Sequence, residues 1–203
     1  MSTFTFESHS SETKYETYEW DNTWLDHVTD STAKRVLYIG DSISCGVRTA
    51  ATELSGNKIY FDGFGSSKSL DNPWFKESIK IFAQQQGYRN AILFNNGLHG
   101  WHLNDETEYR SLTEDMIVFL TNNFPKTPVF MVLTTYIRDN KLIDRVITRN
   151  KVACDVAKKY NLPIIDFYSI SKNNAHLLKD DGVHFIDEGS KILAQEILSS
   201  LNI

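Results

Sequence analysis

A hydroxyl, a carboxylate and an imidazole stand near the two ends of this sequence in places where they could act together. Ser42 closes the run Arg35-Val36-Leu37-Tyr38-Ile39-Gly40-Asp41-Ser42, and Asp180-Asp181-Gly182-Val183-His184-Phe185 lies close to the C-terminus. A serine hydroxyl is a weak nucleophile until a base takes its proton, and an imidazole serves as that base when a carboxylate fixes its tautomer. In a loop, the three-residue offset lets Asp181 reach back to Nδ1–H of His184, leaving Nε2 to face Ser42. Asp180 competes for that role by proximity. The chemistry these groups could perform is acyl transfer, with Ser42 attacking an ester carbonyl and His184 carrying the proton.

Such an attack builds negative charge on the carbonyl oxygen, so donors are needed beside Ser42. A helix following Ser42 would aim its first backbone N–H groups there. The stretch Asp62-Gly63-Phe64-Gly65-Ser66-Ser67-Lys68-Ser69 offers a backbone N–H at Gly65, because glycine lets backbone approach closely. A third stretch, Phe94-Asn95-Asn96-Gly97-Leu98-His99-Gly100-Trp101-His102, carries amides and imidazoles that are expensive to bury without partners. Asn95, Asn96 and His99 are therefore candidates for the pocket, and Trp101, His102 and Asn104 could stack on and hydrogen-bond a sugar. His99 and His102 lack an obvious third ligand, so no metal is expected. Neither a G-x-x-x-x-G-K-[ST] run nor a G-x-G-x-x-G fingerprint is present, and Asp41 would repel a phosphate. As a phospho-acceptor Asp41 would lack the carboxylate cluster that magnesium needs.

The elements that must position these groups alternate. Short apolar runs at 35–39, 58–61, 91–95, 128–134 and 163–166 read as strands of a parallel sheet covered on both faces. Helical patterns fall at 43–55, 73–86, 107–122, 141–160 and 188–199. The second is expected to start at Asn72-Pro73, as cap and first helical residue, with Phe75, Ile79 and Phe82 on one face. The fourth carries a stripe of Leu142, Val146, Ala153 and Ala157. The last has Asp187 as its expected cap and buries Ile192, Leu193, Ile197 and Leu198. Strands interleaved with helices predict one doubly wound α/β domain over 31–203, whose ligand site lies beyond the carboxyl ends of the strands. Residues 1–30 read as an N-terminal arm: polar and mobile to about residue 14, then rich in aromatic area at Tyr15, Tyr18, Trp20 and Trp24. Packing on the domain is the expectation for that segment, with a homo-oligomer or ligand contact as the alternative.

With 203 residues the chain can bury a sizeable core without disulfides or a structural metal. Its 21 basic residues against 26 acidic ones leave a formal charge of −5, spread along the chain, which argues against a nucleic-acid partner. Cys45 and Cys154 form no metal motif and read as buried free thiols. No apolar run approaches a membrane span, and the N-terminus lacks the basic start and apolar stretch of a secretory signal. As written, the chain reads as cytoplasmic; a signal removed beforehand would leave no trace.

Taken together, Gly40-Asp41-Ser42-Ile43 and Asp181-Gly182-Val183-His184 make the chain resemble the GDSL-type, or SGNH, hydrolases, over about residues 34 to 200. Each block is short, but the pair in this order and at this separation is specific. The resemblance implies a flavodoxin-like sandwich with a five-stranded parallel sheet, and a serine esterase with Ser42, Asp181 and His184 as its triad and no cofactor. It also implies oxyanion donors on the Ser42 amide, on a glycine matching Gly65 or, less well, Gly63, and on an asparagine of a G-x-N-D block. Here the chain departs: Gly97-Leu98-His99-Gly100 puts His99 in the asparagine's place, so either His99 donates or Asn95 or Asn96 reaches in. The expected substrate is a small-molecule or glycan acyl ester, with short acyl groups such as O-acetyl favoured. Hydrolysis of longer lysophospholipid or thioester chains is one alternative, and a non-catalytic binding protein on the same fold is another.

Overall fold

The computed structural model describes residues 15–201. The expectation of a mobile terminus to about residue 14 lies outside the described residues. The sheet has six strands: β1 (Asp21–Trp24), β2 (Lys34–Gly40), β3 (Ile59–Ser66), β4 (Ala91–Phe94), β5 (Val129–Val132) and β6 (Ile164–Ile165). Their order is β1-β3-β2-β4-β5-β6. Five run parallel, as the apolar runs predict, and β1 adds an antiparallel edge, Asp21 opposite Ser66 and Trp24 opposite Gly63. The sixth strand, missed in the sequence, is a four-residue exposed segment with no alternation to betray it.

The helices are α1 (Ser42–Leu54), α2 (Phe75–Ala83), α3 (Glu106–Asn123), α4 (Ile143–Lys159), α5 (Phe167–Asn173) and α6 (Asp187–Ser200), with a 3₁₀ turn at Ala175–Leu177. Successive strand residues point to opposite faces. Val36 and Tyr38 therefore join Val47 and Ala51 of α1 and Leu193 and Ile197 of α6 in one core. Leu37 and Ile39 join Phe75 and Ile79 of α2, Met116 and Ile117 of α3 and Val156 of α4 in the other. Both faces are covered, which is why the strands read as continuous apolar runs.

Two expected caps move. α2 begins after Pro73, where Asn72 Oδ1 accepts from the Trp74 amide (2.9 Å) and its carbonyl from Phe75 (3.2 Å), so Asn72 orders the turn before the helix. Asp187 is the first residue of α6, and Ile186 precedes it without a side-chain cap. Cys45 and Cys154 are free, partly buried thiols on α1 and α4. No helix among the described residues is long and apolar enough to cross a membrane.

The topology decides where chemistry can occur. From β2 the chain turns one way to β3, then crosses to β4 on β2's other side. Crevices in open α/β sheets form at such a reversal, beyond the carboxyl ends of the strands. The loops leaving β2, β3 and β4 converge there.

Candidate active site

Ser42 sits at this edge because strand β2 stops at Gly40 and α1 starts two residues later. Asp41 makes the break. Its side chain accepts from the Ile43 amide (3.0 Å), and its carbonyl accepts from the Ser44 amide (3.1 Å) and the Ser44 hydroxyl (2.7 Å). This is an N-cap, and it puts Ser42 in the first turn of a 13-residue helix, where backbone amides and the helix dipole favour negative charge. Asp41 is thereby engaged as the cap of α1.

His184 arrives from the far end of the chain. Its Nε2 lies 2.8 Å from Ser42 Oγ, and its Nδ1 lies 2.9 Å from Asp181 Oδ2. The other carboxylate oxygen, Oδ1, accepts from the Val183 and His184 amides, both at 2.9 Å. Burial by itself would raise the Asp181 carboxyl, but these two amides and the imidazole together hold it below the usual carboxylate range. Asp181 is the carboxylate that meets the ring; Asp180 is its exposed neighbour on the same turn. Gly182 takes φ +72°, and a Cβ there would come within 3.0 Å of Arg138 Cβ. Arg138 braces the loop: its amide donates to Gly182 O (2.9 Å), and its guanidinium donates to the carbonyls of Ala175, Leu178 and Lys179.

The oxyanion candidates separate sharply. Asn95 is committed elsewhere: its Nδ2 donates to Val132 O (2.8 Å) and Thr134 Oγ1 (3.1 Å), tying β4 to β5, so it does not supply the expected donor. Gly65 is also not the donor expected. Ser67 N–H donates to Trp20 O across the β1–β3 ladder (3.1 Å), and two residues along the same ladder Gly65 stands opposite Asn22. Antiparallel pairing alternates every residue, so Gly65's amide belongs to that ladder. What glycine provides there is room: a Cβ would meet Cys45 Sγ at 2.7 Å, under α1. Gly63 stands opposite Trp24, on the same side of the alternation. Asn96 Nδ2 donates to Lys68 O (2.8 Å) and its carbonyl accepts from the Tyr109 hydroxyl, which locks the β3 and β4 loops together. His99 remains as the third-block candidate, buried at 1% exposure with Glu16 and Trp20 against it.

The sugar-stacking expectation for Trp101 is overturned. Its ring is 1% exposed, with the Arg149 guanidinium 4.5 Å and the Arg145 guanidinium 5.3 Å from its centroid. His102 places Nε2 3.2 Å from both oxygens of Asp71, a carboxylate partner in place of a sugar hydroxyl. Arg149 is the residue that sequence reasoning missed. Its Nη1 donates to Gly97 O (3.0 Å) and His99 O (2.7 Å), and its Nη2 donates to Gly100 O (2.7 Å). Burial pushes its pKa down to about 10. A signal existed: an arginine at 149 falls on the buried stripe of α4 between Val146 and Ala153. Among the described residues, no cluster of His, Cys, Asp or Glu could hold a metal ion.

No protein-family model and no curated protein matches the sequence. Solved structures do match in fold. A lipase/acylhydrolase from Enterococcus faecalis superposes with a TM-score of 0.66 at 18% identity, covering 82% of this chain and 94% of that one. The acetyl xylan esterase AlAXEase gives 0.65 at 18%, over 82% and 99%. A GDSL-like lipase from Bacteroides thetaiotaomicron VPI-5482 gives 0.64 at 17%, over 82% and 87%. The chain has the GDSL-like lipase fold. At these identities the likeness concerns the fold, and the GDSL-like sandwich accounts for Ser42 and His184 meeting at one sheet edge.

Proposed function

We propose that this protein is a serine ester hydrolase acting through an acyl-enzyme, with short acyl groups, O-acetyl on a carbohydrate among them, as its substrates. The observation that carries the reading is the hydrogen-bonded line Ser42 Oγ, His184 Nε2, His184 Nδ1, Asp181 Oδ2. His184 takes the proton as Ser42 Oγ bonds to the ester carbon. The tetrahedral intermediate collapses, the C–O bond to the alcohol breaks, and His184 returns the proton to the leaving alkoxide. Water, deprotonated by the same imidazole, then attacks the acyl-serine and releases the acid. Negative charge on the carbonyl oxygen is met by the N-terminus of α1, with His99 as the third-block donor. Asp181 never takes the proton; its lowered pKa keeps it anionic throughout. The triad needs no cofactor.

The small-acyl preference rests on polarity at this edge. The loops after β3 and β4 carry the Lys68–Asp21 pair (2.7 Å), the Asp71–His102 pair and the Asn96 amide. The aromatic ring expected to be open there, Trp101, is inside the core. A fatty chain needs a dry groove, and each methylene lodged in one yields about 0.8 kcal/mol. The names of the neighbours, which span lipase and acetyl xylan esterase, fit either acyl length. A nitrophenyl ester series at sub-micellar concentration decides between them. The expected kcat/KM is highest for acetyl or propionyl and falls from butyryl to octanoyl. Activity rising steadily through octanoyl would move the enzyme to the lysophospholipase or thioesterase alternative.

A further inference from the structure

Ser42 follows β2, and β2 lies between β3 and β4 in the sheet. The N-terminal arm is fastened to the loops that leave both of these neighbours. On the β3 side, Trp20 N–H donates to Ser67 Oγ (2.9 Å), Ser67 N–H returns to Trp20 O (3.1 Å), and Asp21 pairs with Lys68 (2.7 Å). On the β4 side, the Glu16 side chain packs against His99, with Oε1 3.5 Å from Nδ1. Trp20 stands edge-on to the same imidazole, ring centroids 5.9 Å apart. Between these anchors Glu19 closes a bend: its Oε1 accepts from the Glu16 amide (3.0 Å) and its Oε2 from the Ser67 hydroxyl (3.3 Å). Tyr15 and Tyr18, at this bend, are 49% and 47% exposed. The parallel strands β2, β3 and β4 end at one edge. Two half-exposed aromatic side chains are therefore fixed on the edge that carries Ser42.

We propose that Tyr15 and Tyr18 form a glycan subsite of the hydrolase, taking sugar rings that neighbour the acetylated one against their faces. The inference rests on the serine-hydrolase reading and deepens it, assigning the carbohydrate to the N-terminal arm, which lies outside residues 34–200. A pyranose ring presents C–H groups on its faces and hydroxyls around its rim. A tyrosine matches both, with a rigid apolar face and a polar tip, and loses little conformational entropy on contact. The surroundings suit the hydroxyl rim: Thr17 and Glu19 share the bend, and the Lys68–Asp21 pair follows it. An acyl chain would need a dry groove, which polar and charged residues interleaved with the two rings do not make. Trp101, the aromatic that the sequence suggested for this role, lies in the core, whereas the arm presents its rings to solvent. The subsite transfers no proton and forms no covalent bond.

The experiment compares full-length wild type with Tyr15→Ala/Tyr18→Ala, Tyr15→Phe/Tyr18→Phe and Tyr88→Ala. The substrates are an O-acetylated β-1,4-linked tetrasaccharide, the O-acetylated monosaccharide of the same sugar, nitrophenyl acetate and nitrophenyl octanoate, with kcat and KM read separately. Tyr88 is the control: it is 68% exposed but just precedes β4, at the opposite edge of the sheet. Wild type should prefer the tetrasaccharide to the monosaccharide on the order of tenfold in kcat/KM, the worth of a well-placed aromatic contact. The double alanine variant should lose that preference through KM, because the contact is the same in the ground and transition states. The phenylalanine variant should keep it, since the ring faces remain, and Y88A should keep it too. Reading a ratio of two substrates cancels any general loss from a weakened fold. An equal preference in wild type and the alanine variant, or no preference in wild type, would overturn the proposal. So would a loss confined to nitrophenyl octanoate, which would put an acyl chain on the arm. If wild type hydrolyses no ester and Ser42→Ala behaves identically, the hydrolase reading falls. Calorimetric titration of the Ser42→Ala protein with the tetrasaccharide still decides the subsite. Binding that the alanine pair weakens on the order of tenfold is expected; no binding, or binding that the pair leaves unchanged, overturns it.

Discussion

At Asp181 one carboxylate does two jobs with its two oxygens. Oδ1 closes the turn through the Val183 and His184 amides, and Oδ2 orients the imidazole. Asp181→Asn preserves the size of the group and can still accept from the amides, but its NH₂ cannot accept from Nδ1–H. The expected fall in kcat is about 10⁴, the size seen when the equivalent change reverses the tautomer in a serine protease. Asp180→Asn, on the exposed turn, should be nearly silent; the reverse result would mean that the other carboxylate orients His184. The lowered Asp181 pKa adds a stability difference with a defined sign. The ionised form is favoured by folding, so its contribution is present above the ordinary carboxylate value and is lost as pH falls through the lowered one. Thermal scans of wild type and D181N should therefore differ at neutral pH and converge in strong acid.

The elements that present these groups were legible where the information is local. β2, α1 and the Asp181–His184 loop each sit within a few residues of sequence, and apolar periodicity marks the strand, the helix stripe and the junctions between them. What was not legible depends on partners far away in the chain. Asp21–Trp24 has a wholly exposed pattern and becomes a strand because the edge of β3 offers it a ladder. Gly65 looked like a donor loop until that ladder took its amide. Trp101 looked like a surface aromatic in a loop, and only the approach of α4, with Arg145 and Arg149, closes over it. Asn95 is the same kind of case, drawn off by Val132 and Thr134 of the neighbouring strand end. Arg149 is the element-scale keystone of the third block. Arg149→Met keeps the apolar contact with Trp101 but strands the carbonyls of Gly97 and His99 inside the protein, while that of Gly100 keeps the Leu103 amide (3.0 Å). Each buried group left without its partner costs about 1–3 kcal/mol, so urea unfolding should show a loss of about 2 kcal/mol or more. A change below about 1 kcal/mol would show that water replaces the guanidinium there.

Across the whole molecule, the arm and the domain are joined by a charge pair far from the chemistry. Arg35 Nη2 and Nε meet Asp62 Oδ1 and Oδ2 at 2.8 and 3.2 Å, with side-chain exposures of 6% and 0%. Asp62 Oδ1 also accepts the Asp26 amide, and the Arg35 guanidinium donates to the Asp26 carbonyl, so this pair ends the arm where the sheet begins. Removing one partner leaves a buried charge uncompensated, a loss of about 3–5 kcal/mol. Asp62→Ala should show it as a lowered urea midpoint; a midpoint within error of wild type would mean that Arg35 finds another acceptor. The fold, then, serves to bring the start and the end of the chain to one sheet edge, where Ser42 and His184 touch. Ser42→Ala tests that claim most directly, because it deletes one oxygen from a partly exposed first turn and disturbs no packing. With a nitrophenyl ester that wild type turns over, the account predicts a fall in kcat on the order of 10⁴–10⁶ and an unchanged melting curve. Turnover by the purified variant equal to wild type would contradict it.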